Sequence, residues 1–168
     1  MMLAAHQPVL ANRITTAAAA KPDGILEVVA SQCGASLLEV LRQLPKGNMK
    51  LLPGLTAWGD VLMVIHTPDI VLECTGSLPG GTRGHGYFII HGNSPIGGHI
   101  KASNCAMIAL VDRPFHGRRS CSVQFLNREG NAMFKIFVRR TAERELDPAP
   151  LAMFELMLGR IASDGPSP

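Results

Sequence analysis

Cysteine is scarce in this chain and poorly spaced for the chemistry it usually carries. The four cysteines stand at 33, 74, 105 and 121, and no pair has C-x-x-C spacing, which argues against a structural zinc site. A disulfide-stapled secreted domain would be smaller and richer in cysteine. Cys74, Cys105 and Cys121 lie in apolar runs, where a thiol behaves as a small buried hydrophobe. No uninterrupted apolar run approaches the ~18 residues of a membrane span. His6, Gln7, Asn12 and Arg13 break the N-terminal stretch, and Ala17 to Ala20 is too short for a signal peptide core. The expected setting is the reducing cytoplasm, with no membrane partner.

Charge of one sign is also in short supply. A formal net charge of +3, from 16 basic and 13 acidic residues, is too mild to imply nucleic-acid binding. The densest basic groups are Arg113–Arg119 and Lys135 to Arg140. They read as a solvated loop and a strand end, with steering of a dianionic small molecule as the less favoured reading. H-x-H and helical H-x-x-x-H spacings are missing, so no compact zinc triad is signalled. There is no G-x-S-x-G elbow and no P-loop. Asp69, Glu73 and Asp112 are far apart in sequence, which leaves paired-carboxylate hydrolysis without support.

The 168 residues suit one domain with a 46% hydrophobic composition, enough for a sizeable core. Residues 1–22 read as a flexible arm and 163–168 as a tail, around a single domain over 23–162. A helical pair is expected over 23–46. Asp23 can cap the first helix. Ser36 and Glu39 form a capping-box pair for the second, which Pro45 ends. The pair resembles a helix-turn-helix, yet its second helix offers only Arg42 and Gln43 to a duplex, so docking on the main domain is the better reading.

From Trp58 the pattern becomes β, giving a sheet region over 58–140. Val61–His66 and Ile70–Thr75 flank a Thr67-Pro68-Asp69 turn. Gly76–Gly84 reads as a mobile loop and Gly92–Gly98 as another. Cys105–Val111 reads as a central strand. Ser120–Leu126 and Ala132–Val138 form a hairpin around Asn127-Arg128-Glu129-Gly130. Asp147 and Pro148 open a closing helix over 148–162, with Leu151, Phe154, Leu158 and Ile161 at helical spacing. There is no internal repeat. The fold class is α+β: an antiparallel sheet preceded by two short helices and followed by a C-terminal helix.

What is present is concentrated in Gly84-His85-Gly86-Tyr87-Phe88-Ile89-Ile90-His91, which holds the only tyrosine. As a strand, it places His85, Tyr87, Ile89 and His91 on one face and Phe88 and Ile90 on the other. Phe88 and Ile90 suit a core; a phenol between two imidazoles suits the wall of a ligand site. Five of the six histidines stand between 66 and 116, at 66, 85, 91, 99 and 116. Taken singly, each fits a surface or hydrogen-bonded structural role. Together with abundant Met, Leu, Ile and Phe they suit haem, which needs an apolar slot and an imidazole or phenolate on iron. Composition alone does not separate haem from a flavin or from no ligand.

Several stretches then match a known family in order. They are Ile25-Leu26-Glu27, Glu39-Val40 and Leu44-Pro45, then Trp58, Val64 and His66-Thr67-Pro68-Asp69. Next come Gly84-His85-Gly86-Tyr87-Phe88, Gly98-His99-Ile100-Lys101-Ala102 and Asn104-Cys105, and finally Arg113-Pro114-Phe115 and Met133–Val138. Over roughly residues 23–158 the chain resembles the HutX/ChuX-type intracellular haem-utilisation carriers of Gram-negative bacteria. That resemblance implies a cytosolic homodimer that binds haem b and passes it to a haem-degrading enzyme. It maps haem binding onto Tyr87, His99 and His66, with Tyr87 and His99 as the expected iron ligands; the strand-face reading adds His85, placed to accept the Tyr87 proton or donate a hydrogen bond to it. His91 and His116 lie outside the matched pattern. Two rival readings accompany the non-enzymatic carrier: a haem-degrading enzyme that releases iron and a bilin, and a regulatory module built on the N-terminal helical pair.

Overall fold

The computed structural model describes residues 54–163. The expected arm, the helical pair over 23–46 and the end of the tail lie outside the described residues. Strands β1 (Asp60–His66), β2 (Val71–Ser77), β3 (Gly81–Gly84), β4 (Tyr87–Ile90), β5 (Gly98–Ile100), β6 (Met107–Phe115), β7 (Arg118–Leu126) and β8 (Ala132–Phe137) precede helix α1 (Pro148–Ser163). The strands form two antiparallel sheets, not the single sheet expected. One has the order β2-β1-β8-β7-β6 and the other β3-β4-β5.

Turn chemistry explains much of the register. Between β1 and β2, the Thr67 hydroxyl accepts hydrogen bonds from the Asp69 and Ile70 amides, and the Thr67 amide donates to the Ile70 carbonyl at 2.9 Å. Between β7 and β8, the Asn127 side chain accepts from the Glu129 and Asn131 amides. Both are the local closures that Ser, Thr, Asn and Asp provide in turns.

Two other hairpins correct the sequence reading. Gly84 pairs with Tyr87, so His85 and Gly86 are the whole turn. Their φ values are +50° and +80°. Positive φ at both centres marks the primed turn whose twist matches flanking strands, and histidine tolerates this region better than most residues. His85 therefore does not share a strand face with Tyr87. Phe115 pairs with Arg118 around His116 and Gly117, with φ of +49° and +75°. The basic run 113–119 is thus a continuous hairpin and not a loop.

The glycine-rich stretch 76–84 is likewise built into strands: Gly76 and Ser77 finish β2, and Gly81–Gly84 is β3. Gly81 is required by close approach. A Cβ there would stand 2.6 Å from Phe88 Cζ and collide with the Ile89 carbonyl. At Gly81 the glycine reflects close packing within a strand, not a loop.

The core lies between one face of the larger sheet, the inner face of the smaller one and α1. Val61, Ile108, Leu110, Val123, Phe125, Phe134 and Ile136 come from the larger sheet; Phe88, Ile90 and Ile100 come from the smaller. Phe125 and Phe134 are register partners and stack with centroids 4.3 Å apart. The Asp147 carboxylate accepts from the Ala149 amide at 3.2 Å, and Pro148 opens α1 as expected. Phe154 and Met157 are fully buried, and Phe154 meets Trp58 edge to face.

Arg119 ties three elements together. It holds Asp112 of β6 at 2.7 Å and Glu155 of α1 at 2.9 Å. The guanidinium keeps the Asp112 carboxyl below its ordinary range. Because the Arg119 side chain is about half exposed, the pair is worth well under the burial of the aromatic core, so it orients α1 more than it stabilises it.

The inward and outward sides of β4 should therefore respond differently to substitution. Phe88→Ala should lower stability by ~3–5 kcal/mol. Tyr87→Phe, on the exposed side, should cost under about 0.5 kcal/mol. Urea unfolding midpoints measure both. Equal losses would mean that the faces of β4 are assigned wrongly.

Candidate functional site

The smaller sheet has one buried face and one open face. In β4, Phe88 and Ile90 are buried while Tyr87 is 39% exposed. Burying the first pair leaves Tyr87 and Ile89 no other direction. Ile89 pairs with Thr82 on β3 and with His99 on β5. Thr82, Tyr87, Ile89 and His99 thus occupy one continuous outer surface. Tyr87 and His99 meet diagonally across the ladder, with ring centroids 6.2 Å apart and planes at 86°. This is the contact range expected of diagonal cross-strand neighbours with long side chains.

The other sequence-predicted residues are distributed around this pair. His85 is exposed at the β3–β4 turn. His66 ends β1 opposite Val71, in the larger sheet, and is exposed. No hydrogen bond or ring contact joins His66 to Tyr87 or His99. His91, outside the family-like pattern, follows β4 and lies 3.2 Å from the Thr82 hydroxyl through Nε2. Among the described residues no three His, Cys, Asp or Glu side chains gather closely enough to hold a metal ion. The fold brings together a phenol and one imidazole, not a histidine cluster.

The cysteines conform to the apolar reading. None of Cys74, Cys105 and Cys121 is in a disulfide. Burial, reinforced by the nearby Asp112 charge, pushes the Cys121 thiol up to about 12, so it stays protonated and unreactive at neutral pH.

The sequence carries a further electrostatic signal for this face. No Asp or Glu occurs between Glu73 and Asp112. That interval contains β3, β4 and β5 entire, together with Arg83 and Lys101. In β5 and just beyond it, Gly98 and His99 are exposed, Ile100 is buried and Lys101 is exposed. The open face is therefore free of sequence-local carboxylates, and Lys101 adds a cationic group at its margin, whereas Arg83 pairs with the inward-facing Phe88. Such a surface favours an anionic, partly apolar ligand.

The family described as Haem utilisation ChuX/HutX matches residues 42–157. The intracellular heme transport protein HutX of Vibrio cholerae is 28% identical over 147 residues, covering 82% of this chain and 76% of that protein. The solved structure of protein AGR_C_4470 from Agrobacterium tumefaciens is 45% identical, covers 93% of this chain and 94% of that one, and superposes with a TM-score of 0.64. The heme binding protein ChuX is 38% identical over 89% of this chain and 99% of its own, with a TM-score of 0.63. The Escherichia coli heme oxygenase ChuS shares the fold alone, at 15% identity and a TM-score of 0.54. With the family match spanning most of the chain, and an α+β fold shared with these structures, this protein belongs to the ChuX/HutX haem-utilisation family.

Proposed function

We propose that this chain is a cytoplasmic haem carrier that takes up haem b on the open face of β3-β4-β5 and releases it to a haem-degrading acceptor. The observation that carries the reading is the exposed Tyr87–His99 pair on a sheet face without local carboxylates. A phenolate and an imidazole are both established iron ligands in haem proteins. Ile89 between them offers apolar contact to a flat macrocycle. The relative from Vibrio cholerae, named as an intracellular heme transport protein, supports both the cargo and the compartment.

Tyr87 and His99 stand side by side on one sheet face, so they approach a planar ligand from the same side. One of them ligates iron, and the other holds a proton or a hydrogen bond beside it. His66, in the other sheet, is the further ligand candidate. An exposed pair suits exchange, whereas oxygen activation needs iron held with a protected distal side. That contrast favours carriage over degradation.

A second copy of the chain is part of this reading. β2 is an edge strand of the larger sheet. Ile70, just before it, and Val71 and Leu72 within it are 56%, 55% and 53% exposed. An apolar, unpaired edge of this kind invites strand pairing, and a homodimer would cover it.

Titrating hemin into the full chain should shift the Soret band and saturate. Tyr87→Phe, His99→Ala and His66→Ala test the ligands, and at least one should lower affinity about tenfold or more or change the spectrum. Three variants identical to wild type would remove these residues from the site. Light scattering on the same samples should return twice the chain mass; a single-chain mass would remove the dimer.

Haem-loaded protein should pass its haem to apomyoglobin. With ascorbate and catalase in air, it should leave the porphyrin largely intact. Stoichiometric conversion to a bilin would make it a haem-degrading enzyme instead.

A further inference from the structure

The open face bears one flexible cation whose position gives it a distinct task. Among the described residues the only lysines are Lys101 and Lys135, and Lys135 is buried in the larger sheet. Lys101 is exposed and makes no ion pair among the described residues. It directly follows β5 and caps the short turn Ala102–Asn104, with φ −76° and ψ 88°. His99 and Lys101 flank the buried Ile100 and are both exposed, so alternation carried one residue past β5 directs them to the same side. Phe88 pairs with Ile100, the last residue of β5, so Lys101 leaves the ladder at the end where Tyr87 begins β4.

We propose that Lys101 is a specificity-determining residue that reads the carboxylate substituents of the ligand seated on Tyr87 and His99. The assignment rests on the haem reading above and adds how the macrocycle is oriented and selected. A planar ligand over Tyr87, Ile89 and His99 puts its centre over the ring pair and its rim near the margin of the sheet. A lysine two residues from His99 has a four-carbon stem that carries its ammonium out to that rim. Its charge has no local carboxylate to neutralise it, since Glu73 and Asp112 are the nearest acidic residues in sequence. The ammonium is then available for the two carboxylates that protoporphyrin carries on one edge.

Arg83 supplies the contrast. It pairs with Phe88 across β3 and β4, so its backbone position belongs to the opposite face, although its side chain is exposed at the edge. It shares the charge of Lys101 but not its side of the sheet.

The experiment compares hemin, hemin dimethyl ester and iron-free protoporphyrin as ligands for the full chain, in wild type, Lys101→Ala, Lys101→Arg and Arg83→Ala. At low ionic strength Lys101→Ala should weaken hemin and protoporphyrin about three- to fivefold, the upper part of the range of an exposed charge pair. It should leave the ester unchanged and the Soret position unmoved. Lys101→Arg should restore affinity, Arg83→Ala should match wild type, and ~1 M salt should abolish the difference. Circular dichroism of each variant confirms folding.

Wild type that binds ester and acid equally, or Lys101→Ala that behaves as Arg83→Ala does, would overturn the assignment. If those results come while Tyr87 or His99 variants still alter hemin binding, Lys101 alone is misassigned. If wild type binds none of the three porphyrins, the haem reading falls and this inference falls with it.

Discussion

Phe88, Ile90 and Ile100 are drawn into a core that the smaller sheet shares with the larger sheet and α1, and this burial sets the direction of every residue on the opposite face. Alternation leaves Tyr87 and Ile89 pointing outward, and the pairing of Ile89 with His99 brings the imidazole beside the phenol. A slip of one residue in β4 would bury Tyr87 and expose Phe88. Register therefore fixes which residues the open face presents. Two devices hold it. The His85-Gly86 turn fixes β3 against β4, and Gly81 lets the Phe88 ring close against β3 without a Cβ in the way.

Much of this was legible in the residues. Strict alternation identified the buried and exposed sides of Tyr87–Ile90, and Asp147-Pro148 located the start of the last helix. The Thr67 and Asn127 turns were equally local and equally readable. What failed were places where low complexity hid tertiary contact. Gly76–Gly84 looked like a loop because glycine and proline dominate it, yet Gly81 is glycine for close packing under an aromatic ring. His85 looked like a strand residue because histidine only mildly favours a positive φ; a two-residue turn over His85-Gly86 competes locally with a continuous strand, and the pairing of all four residues of β3 with β4 decides between them. The division into two sheets was hidden for the same reason, since strand order depends on which apolar faces meet.

For the site, the sequence supplied Tyr87 and His99 but not their adjacency, because β4 and β5 are separated by the loop from His91 to Gly97. It also placed His85 with Tyr87, which the turn prevents. The absence of acidic residues between Glu73 and Asp112 was visible from the start, but its meaning emerges only when that interval proves to be an entire sheet with an open face. The same openness gives the carrier reading its physical sense. The stabilising aromatic contacts, Phe125 on Phe134 and Trp58 on Phe154, lie on the other side of the smaller sheet from the face proposed for the ligand. Cargo can then enter and leave without disturbing the core.

The central claim is that haem sits on the outer face of β3-β4-β5. Backbone amide spectra of the isotope-labelled chain, recorded with hemin and with a diamagnetic zinc protoporphyrin, test it most directly. Paramagnetic loss should centre on Tyr87–Ile90 and on Gly98–Lys101 and spare the amides of Val123 and Phe125 across the core. Loss centred elsewhere, such as on the exposed Phe115–His116 ring pair at the tip of the β6–β7 hairpin, would contradict the account.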